Sequence, residues 1–196
     1  MVRGTAMVLL GVWMYLAATL GNGVDTRRSL LPFQTLAQNR PASEQRMFRE
    51  LQEGLLEAEA VRSATGQWPM VDSLAADGIP PFAPDPTAKT ATYRWTLLRA
   101  GSLVNYLGIP DREGPPAWLV VVQEPQPGVP PDQTFEDEQH HRLLYGIMLH
   151  VSTWAHADGM KVPSRISSVP QGEGWTQIYA VPPGAPAPAP PAPEVK

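Results

Sequence analysis

The four histidines of this 196-residue chain all fall between positions 140 and 156, at His140, His141, His150 and His156. Asp132, Glu136, Asp137 and Glu138 stand just ahead of them or beside them. Imidazole nitrogens with carboxylate oxygens suit zinc, copper or nickel, and neutral imidazole is the usual ligand form. Spacing decides which of these side chains can share an ion. Neither an H-x-x-x-H nor an H-E-x-x-H helix pattern is present. On one extended strand His150 and His156 stand about 20 Å apart at a rise of roughly 3.3 Å per residue, too far to share a ligand. A hairpin turning near Gly146 sets His140 roughly opposite Ser152, with His150 diagonal on the same face, and brings in Glu136 or Glu138 as a further donor. His141 then points to the other face. If 134–145 is a helix instead, Asp137 and His141 share a face at i, i+4, as do Glu136 and His140. Histidines beside acidic groups can also do no more than hydrogen-bond. The donor set His140, His141, His150, His156, Glu136 and Glu138 is therefore an expectation, with the ion open among zinc, copper and nickel.

Other chemistry finds little footing. There is no G-x-S-x-G, no phosphate loop and no dinucleotide fingerprint. Gly101-Ser102 reads as a hairpin turn, and Asp111 and Glu113 lie in a Pro/Gly loop facing solvent. Trp95, Trp118, Trp154 and Trp175 sit in strand-like runs and are expected to pack. No residue set nominates a catalytic centre, so a non-enzymatic role is expected. The chain has no cysteine, which excludes disulfides and thiolate metal sites. Its 15 basic and 19 acidic residues give a net charge of −4 without a basic block, which argues against nucleic acid as a partner.

Several elements must position the histidines. Met47, Leu51, Leu55, Ala58 and Val61 form one apolar stripe at helical period, with Arg49, Gln52, Glu53, Glu57 and Glu59 on other, solvated faces. Ser43 is a candidate N-cap, Gly66 a left-handed C-terminal cap, and Pro69 forbids continuation. The proline-rich loop 78–89 cannot join a central strand. The period then changes to two. Residues 92–99 and 102–107 read as a hairpin, and 118–123, WLVVVQ, as a strand buried on both faces. Together these make an antiparallel meander. Residues 148–154 and 175–181 read as fourth and fifth strands.

Residues 4–24 carry no charge, and the run 6–21, AMVLLGVWMYLAATLG, is long and apolar enough to span a bilayer. It reads as an uncleaved signal anchor, with a cleaved signal peptide ending at Gly23 as the alternative. Arg3 on one side and Arg27, Arg28 and Arg40 on the other leave the positive-inside rule near a tie. A short basic start before one apolar span favours export of the domain. The end of the chain, PPGAPAPAPPAP, is low complexity and expected as an extended, disordered tail.

The run LLEAEAVRSATGQWPMVDSLAADGIPPF resembles the major pseudopilins of type II secretion, in which a long helix ends in a G-x-[YW]-P turn and a loop leads to an antiparallel sheet. Gly66, Gln67, Trp68 and Pro69 carry the match, and the likeness covers about residues 42–123. It implies a pilin-like fold and a bacterial envelope setting. Pseudopilins also carry glutamate at the fifth position after a processing glycine; here Leu9 stands there after Gly4, so the likeness does not extend to polymerisation.

The expected architecture is α+β: an N-terminal transmembrane helix (1–24), a connector (25–41), an extracytoplasmic domain (42–181) with one amphipathic helix packed on an antiparallel β-meander in pilin-like fashion, and a disordered Pro-rich tail (182–196). The expected role is a single-pass accessory or assembly protein of the bacterial inner membrane, facing the periplasm and meeting other envelope proteins. The alternatives are a transition-metal-binding accessory protein using the cluster 140–156, and a soluble periplasmic protein after signal cleavage.

Overall fold

Helix α1, Ala42–Thr65, forms where the apolar stripe predicts it and buries Phe48, Leu51, Leu55 and Ala58. Its start has no side-chain cap: Pro41 holds the N-cap position, and the expected cap Ser43 lies inside the helix. Glu44 in the first turn pairs with Arg40 instead. Gly66 ends the helix at φ 73°, its N–H bonded to the Arg62 carbonyl at 2.9 Å. Gly54 is needed for packing, because a Cβ there would lie 2.4 Å from the Pro80 carbonyl oxygen and 2.9 Å from the Phe82 ring. A short helix α2, Val71–Ala76, follows and buries Leu74. The structure is a computed structural model that describes residues 30–83, 91–126, 128 and 134–181.

The sheet is larger and more mixed than the meander expected. Its strands are β1 (Gln34–Leu36), β2 (Tyr93–Ala100), β3 (Leu103–Pro110), β4 (Ala117–Gln123), β5 (His140–Arg142), β6 (Met148–His156) and β7 (Thr176–Tyr179). Their order is β1-β7-β6-β4-β3-β2, with β5 also paired to β6. Strands β2, β3 and β4 are the antiparallel meander. Beyond it, β6 pairs antiparallel with β4, and β1 runs parallel to β7. His150 of β6 pairs with both Gln123 and His140, and Thr153 with both Val120 and Ile178. A strand has two edges, so β5 and β7 lie end to end on the edge of β6 opposite β4.

Alternation sorts the side chains onto two faces. Val104, Tyr106, Val120, Val122, Leu149, Val151 and Ile178 meet α1 in one core. Leu107, Leu119, Val121 and Trp154 form a second core with Val162 and Trp175 from the segment after β6. Strand β4 is apolar at every position from Ala117 to Val122 because both of its faces are covered. Asn105, fully buried, pins the covering segment by accepting the Ser167 N–H at 2.7 Å.

Two expectations are corrected. The pilin-like plan of one helix on an antiparallel meander gives way to a mixed seven-stranded sheet, because the stretch 25–41, expected as a mere connector, contributes β1 and so adds a parallel edge. The membrane-crossing helix is not supported: no helix among the described residues is long and apolar enough to cross a membrane. Residues 1–24, which that expectation concerns, and the tail 182–196 lie outside the described residues.

Candidate functional site

The turn between β5 and β6 is tight. The Leu143 N–H bonds the Ile147 carbonyl at 2.8 Å, and Tyr145 and Gly146 both take left-handed conformations, at φ 69° and 80°. Tyrosine seldom adopts this conformation, and strain of this kind gathers near functional sites. The reversal falls where the hairpin alternative puts it, but the register differs by two residues. His140 faces His150 directly rather than Ser152. Their ring centres are 4.8 Å apart with the planes at 78°.

His140 is held from behind. Its Nδ1 lies 2.7 Å from Asp137 Oδ1, and the same oxygen accepts the N–H groups of Gln139 at 2.7 Å and His140 at 2.9 Å. Burial pushes the Asp137 carboxyl up, but these bonds and the neighbouring imidazole outweigh it and hold it below the usual carboxylate value. An ionised Asp137 can only accept from this ring, so the contact favours the tautomer with the hydrogen on Nδ1 and the lone pair on Nε2. This is the carboxylate–histidine arrangement that orients metal ligands. The pair opens on a cleft of about 320 Å³ lined also by Leu103, Val121, Gln123, Gln139, Ser152 and Ser168.

The other expected donors do not join this pair. His141 projects to the opposite face, as alternation requires, with Nδ1 2.7 Å from Glu59 Oε1 on α1. Burial pushes the His141 imidazole down, yet the Glu59 carboxylate and a hydrogen bond to the Glu138 carbonyl outweigh it and raise its pKa. Two acceptors on one ring favour the imidazolium, which has no lone pair for a metal. His156 stands at the far end of β6 against Trp175, with ring centres 5.3 Å apart and its buried Nδ1 without a hydrogen-bond partner among the described residues. Glu136 pairs with Arg142 at 3.3 Å. Glu138 accepts the N–H of Ala180 at 2.6 Å and of Val181 at 3.3 Å; burial raises its pKa despite these bonds. Among the described residues no three His, Cys, Asp or Glu side chains are placed to hold a metal together. Asp132 lies outside them.

Glu59 is the residue that sequence patterning misses. It is expected on a solvated face and is 7% exposed. Its partner lies 82 positions away, and no local pattern announces that contact.

No curated protein and no solved structure shows a match to the chain. One family model does, across residues 36–181, from β1 to the end of the sheet domain. The chain therefore belongs to the family of unknown function DUF6162.

Proposed function

We propose that this protein is a non-enzymatic accessory protein of the bacterial cell envelope that binds a transition-metal ion, zinc, copper(II) or nickel, through His140 and His150. The observation that carries this is the cross-strand imidazole pair with Asp137 behind it. Two imidazoles on one tetrahedral ion at about 2.1 Å hold their ring centres about 5 Å apart, and the pair stands at 4.8 Å. The exported setting is supported by the uncharged run 4–24 ahead of the domain. Phe135, Leu144 and Tyr145, 89%, 64% and 93% exposed, offer apolar contact for an envelope partner around the same turn.

Calorimetric titration of the purified protein with each ion at neutral pH tests the site. Binding tighter than about 10 μM, roughly −7 kcal/mol, is expected for at least one ion and should vanish in His140→Ala and in His150→Ala. Unchanged affinity in the double variant removes the proposal. A fused reporter that is active only outside the cytoplasm tests the setting, and a silent reporter on well-expressed protein would rule it out.

A further inference from the structure

We infer that the cavity at the start of α1, between that helix and the turn from β3 to β4, binds a small organic carboxylate with an apolar body. The cavity holds about 430 Å³, inside the roughly 300–1,000 Å³ range of small-molecule sites. It shares no lining residue with the cleft at His140 and His150, so it is a second site. Trp118 of β4 contributes to its wall and is 0% exposed. The indole N–H of Trp118 is buried without a hydrogen-bond partner among the described residues. An unmet buried donor destabilises a fold, and a ligand oxygen placed against it removes that penalty.

Further donors line the same cavity. The Tyr93 phenol is close enough to feel the Trp118 N–H, yet no hydrogen bond closes between them. Burial holds the Tyr93 hydroxyl up at about 12 against the pull of that N–H and of Arg112, so it stays protonated and can donate. Helix α1 starts on the wall at Pro41 and Ser43, and its first turn has no side-chain cap, which leaves its positive end open to an anion. Arg112 is exposed on the rim and has no ion pair among the described residues. The two carboxylates of the lining are engaged: Glu44 with Arg40 at 2.6 Å and Glu50 with Arg46 at 2.6 Å. The surplus is therefore of donors, with one unpaired positive charge, and this selects a monoanion. A carboxylate matches the guanidinium of Arg112 in shape and charge. A phosphate would bring a second negative charge beside Glu44 and Glu50. Met47, Pro115 and Pro116 complete the wall with apolar surface for the rest of the ligand.

Equilibrium dialysis of the full-length protein against labelled phenylacetate and labelled hexanoate tests the site, with nuclear magnetic resonance of the indole N–H groups as a second readout. At least one of the two acids should bind saturably and shift one indole signal, the one missing from Trp118→Phe. Phenylacetamide, which has the same body without the charge, should bind about tenfold more weakly or worse, the least that loss of a charged hydrogen bond does. Arg112→Ala, at an exposed position, should weaken the acid by a similar factor with the fold intact. His140→Ala should leave acid binding unchanged, which separates this site from the imidazole pair. The inference is overturned if neither acid binds saturably, if acid and amide bind equally, or if Arg112→Ala binds like the wild type. Inorganic phosphate displacing the acid at equal concentration also overturns it and leaves a plain anion site. Should Trp118→Phe fail to fold, dialysis of Arg112→Ala decides alone.

Discussion

Replacing Glu59 by glutamine should cost the fold about 2 kcal/mol near pH 5.5 and clearly less near pH 9. Glu59 is 7% exposed on α1, and its carboxylate lies 2.7 Å from His141 Nδ1. Removing one partner of a fully buried ion pair costs about 3–5 kcal/mol, and a charged hydrogen bond contributes about 1.5–3 kcal/mol. The His141 side chain is 23% open to water, and glutamine keeps an acceptor, so the lower part of this range applies. The pH dependence follows from linkage. The folded-state pKa of His141 is raised above its ordinary value. Its contribution is therefore complete below the unfolded value, about 6.5, and is lost as pH rises through the folded value. Urea unfolding of wild type and Glu59→Gln, followed by tryptophan fluorescence at both pH values, measures the gap. A gap that is equal at the two pH values, or below about 0.5 kcal/mol at pH 5.5, an ordinary surface effect, would refute a charged clasp between α1 and β5.

Three other substitutions probe the frame and the site. Gly54→Ala should lower the melting temperature although alanine is the better helix former by about 1 kcal/mol. The new Cβ meets the main-chain oxygen of Pro80 at 2.4 Å, and overpacking of this kind costs about 1–3 kcal/mol. A higher melting temperature would mean that the loop over the helix yields freely. Tyr106→Phe should cost about 1–2 kcal/mol in chemical denaturation, because the buried phenol donates to the Pro69 carbonyl at 3.0 Å and the carbonyl is left without its donor. An unchanged midpoint would show that this bond contributes nothing net. Asp137→Asn should weaken zinc binding about 10- to 100-fold while the fold stays intact, the usual effect of losing the group that orients a ligating histidine. Equal affinity would remove Asp137 from the site.

Local patterns made much of this fold legible. Leu51, Leu55 and Ala58 repeat at helical spacing and are all buried in α1. The alternation in 92–107 and the unbroken apolar run 117–122 correspond to β2, β3 and β4, the last covered on both faces. The helix, the Gly66–Pro69 turn and the meander behind the pseudopilin resemblance are all present, but they do not fix the order of the remaining strands. That order depends on long-range pairing. β1 has three residues and no apolar period, and its partner β7 lies about 140 positions away. The site was half legible for a similar reason. The reversal near Gly146 follows from glycine's freedom at positive φ. The left-handed Tyr145, on which the observed reversal is centred so that His140 pairs with His150, carries no compositional signal. Glu59 looks like one more solvated glutamate until the β5 hairpin places His141 over it.

The two adjacent histidines of β5 do opposite work because alternation turns them to opposite faces and each face supplies a different acceptor set. Asp137 accepts the Nδ1–H of His140, whose ring meets that of His150. Glu59 and the Glu138 carbonyl face the His141 ring and favour its charged form. β5 is only three residues long, so these clasps, with its pairing to β6, hold it in place. A strand released from α1 on one face carries His140 away from His150 on the other. Glu59→Gln should therefore weaken zinc binding although Glu59 lies on the far side of the sheet from the imidazole pair. By the same coupling, saturating zinc should recover part of the stability that the substitution removes; at a free concentration of one hundred times Kd a bound ion stabilises by about 2.7 kcal/mol. Zinc affinity in Glu59→Gln equal to that of the wild type would show that the two faces of β5 act independently, and that the β5–β6 pairing alone keeps His140 in place.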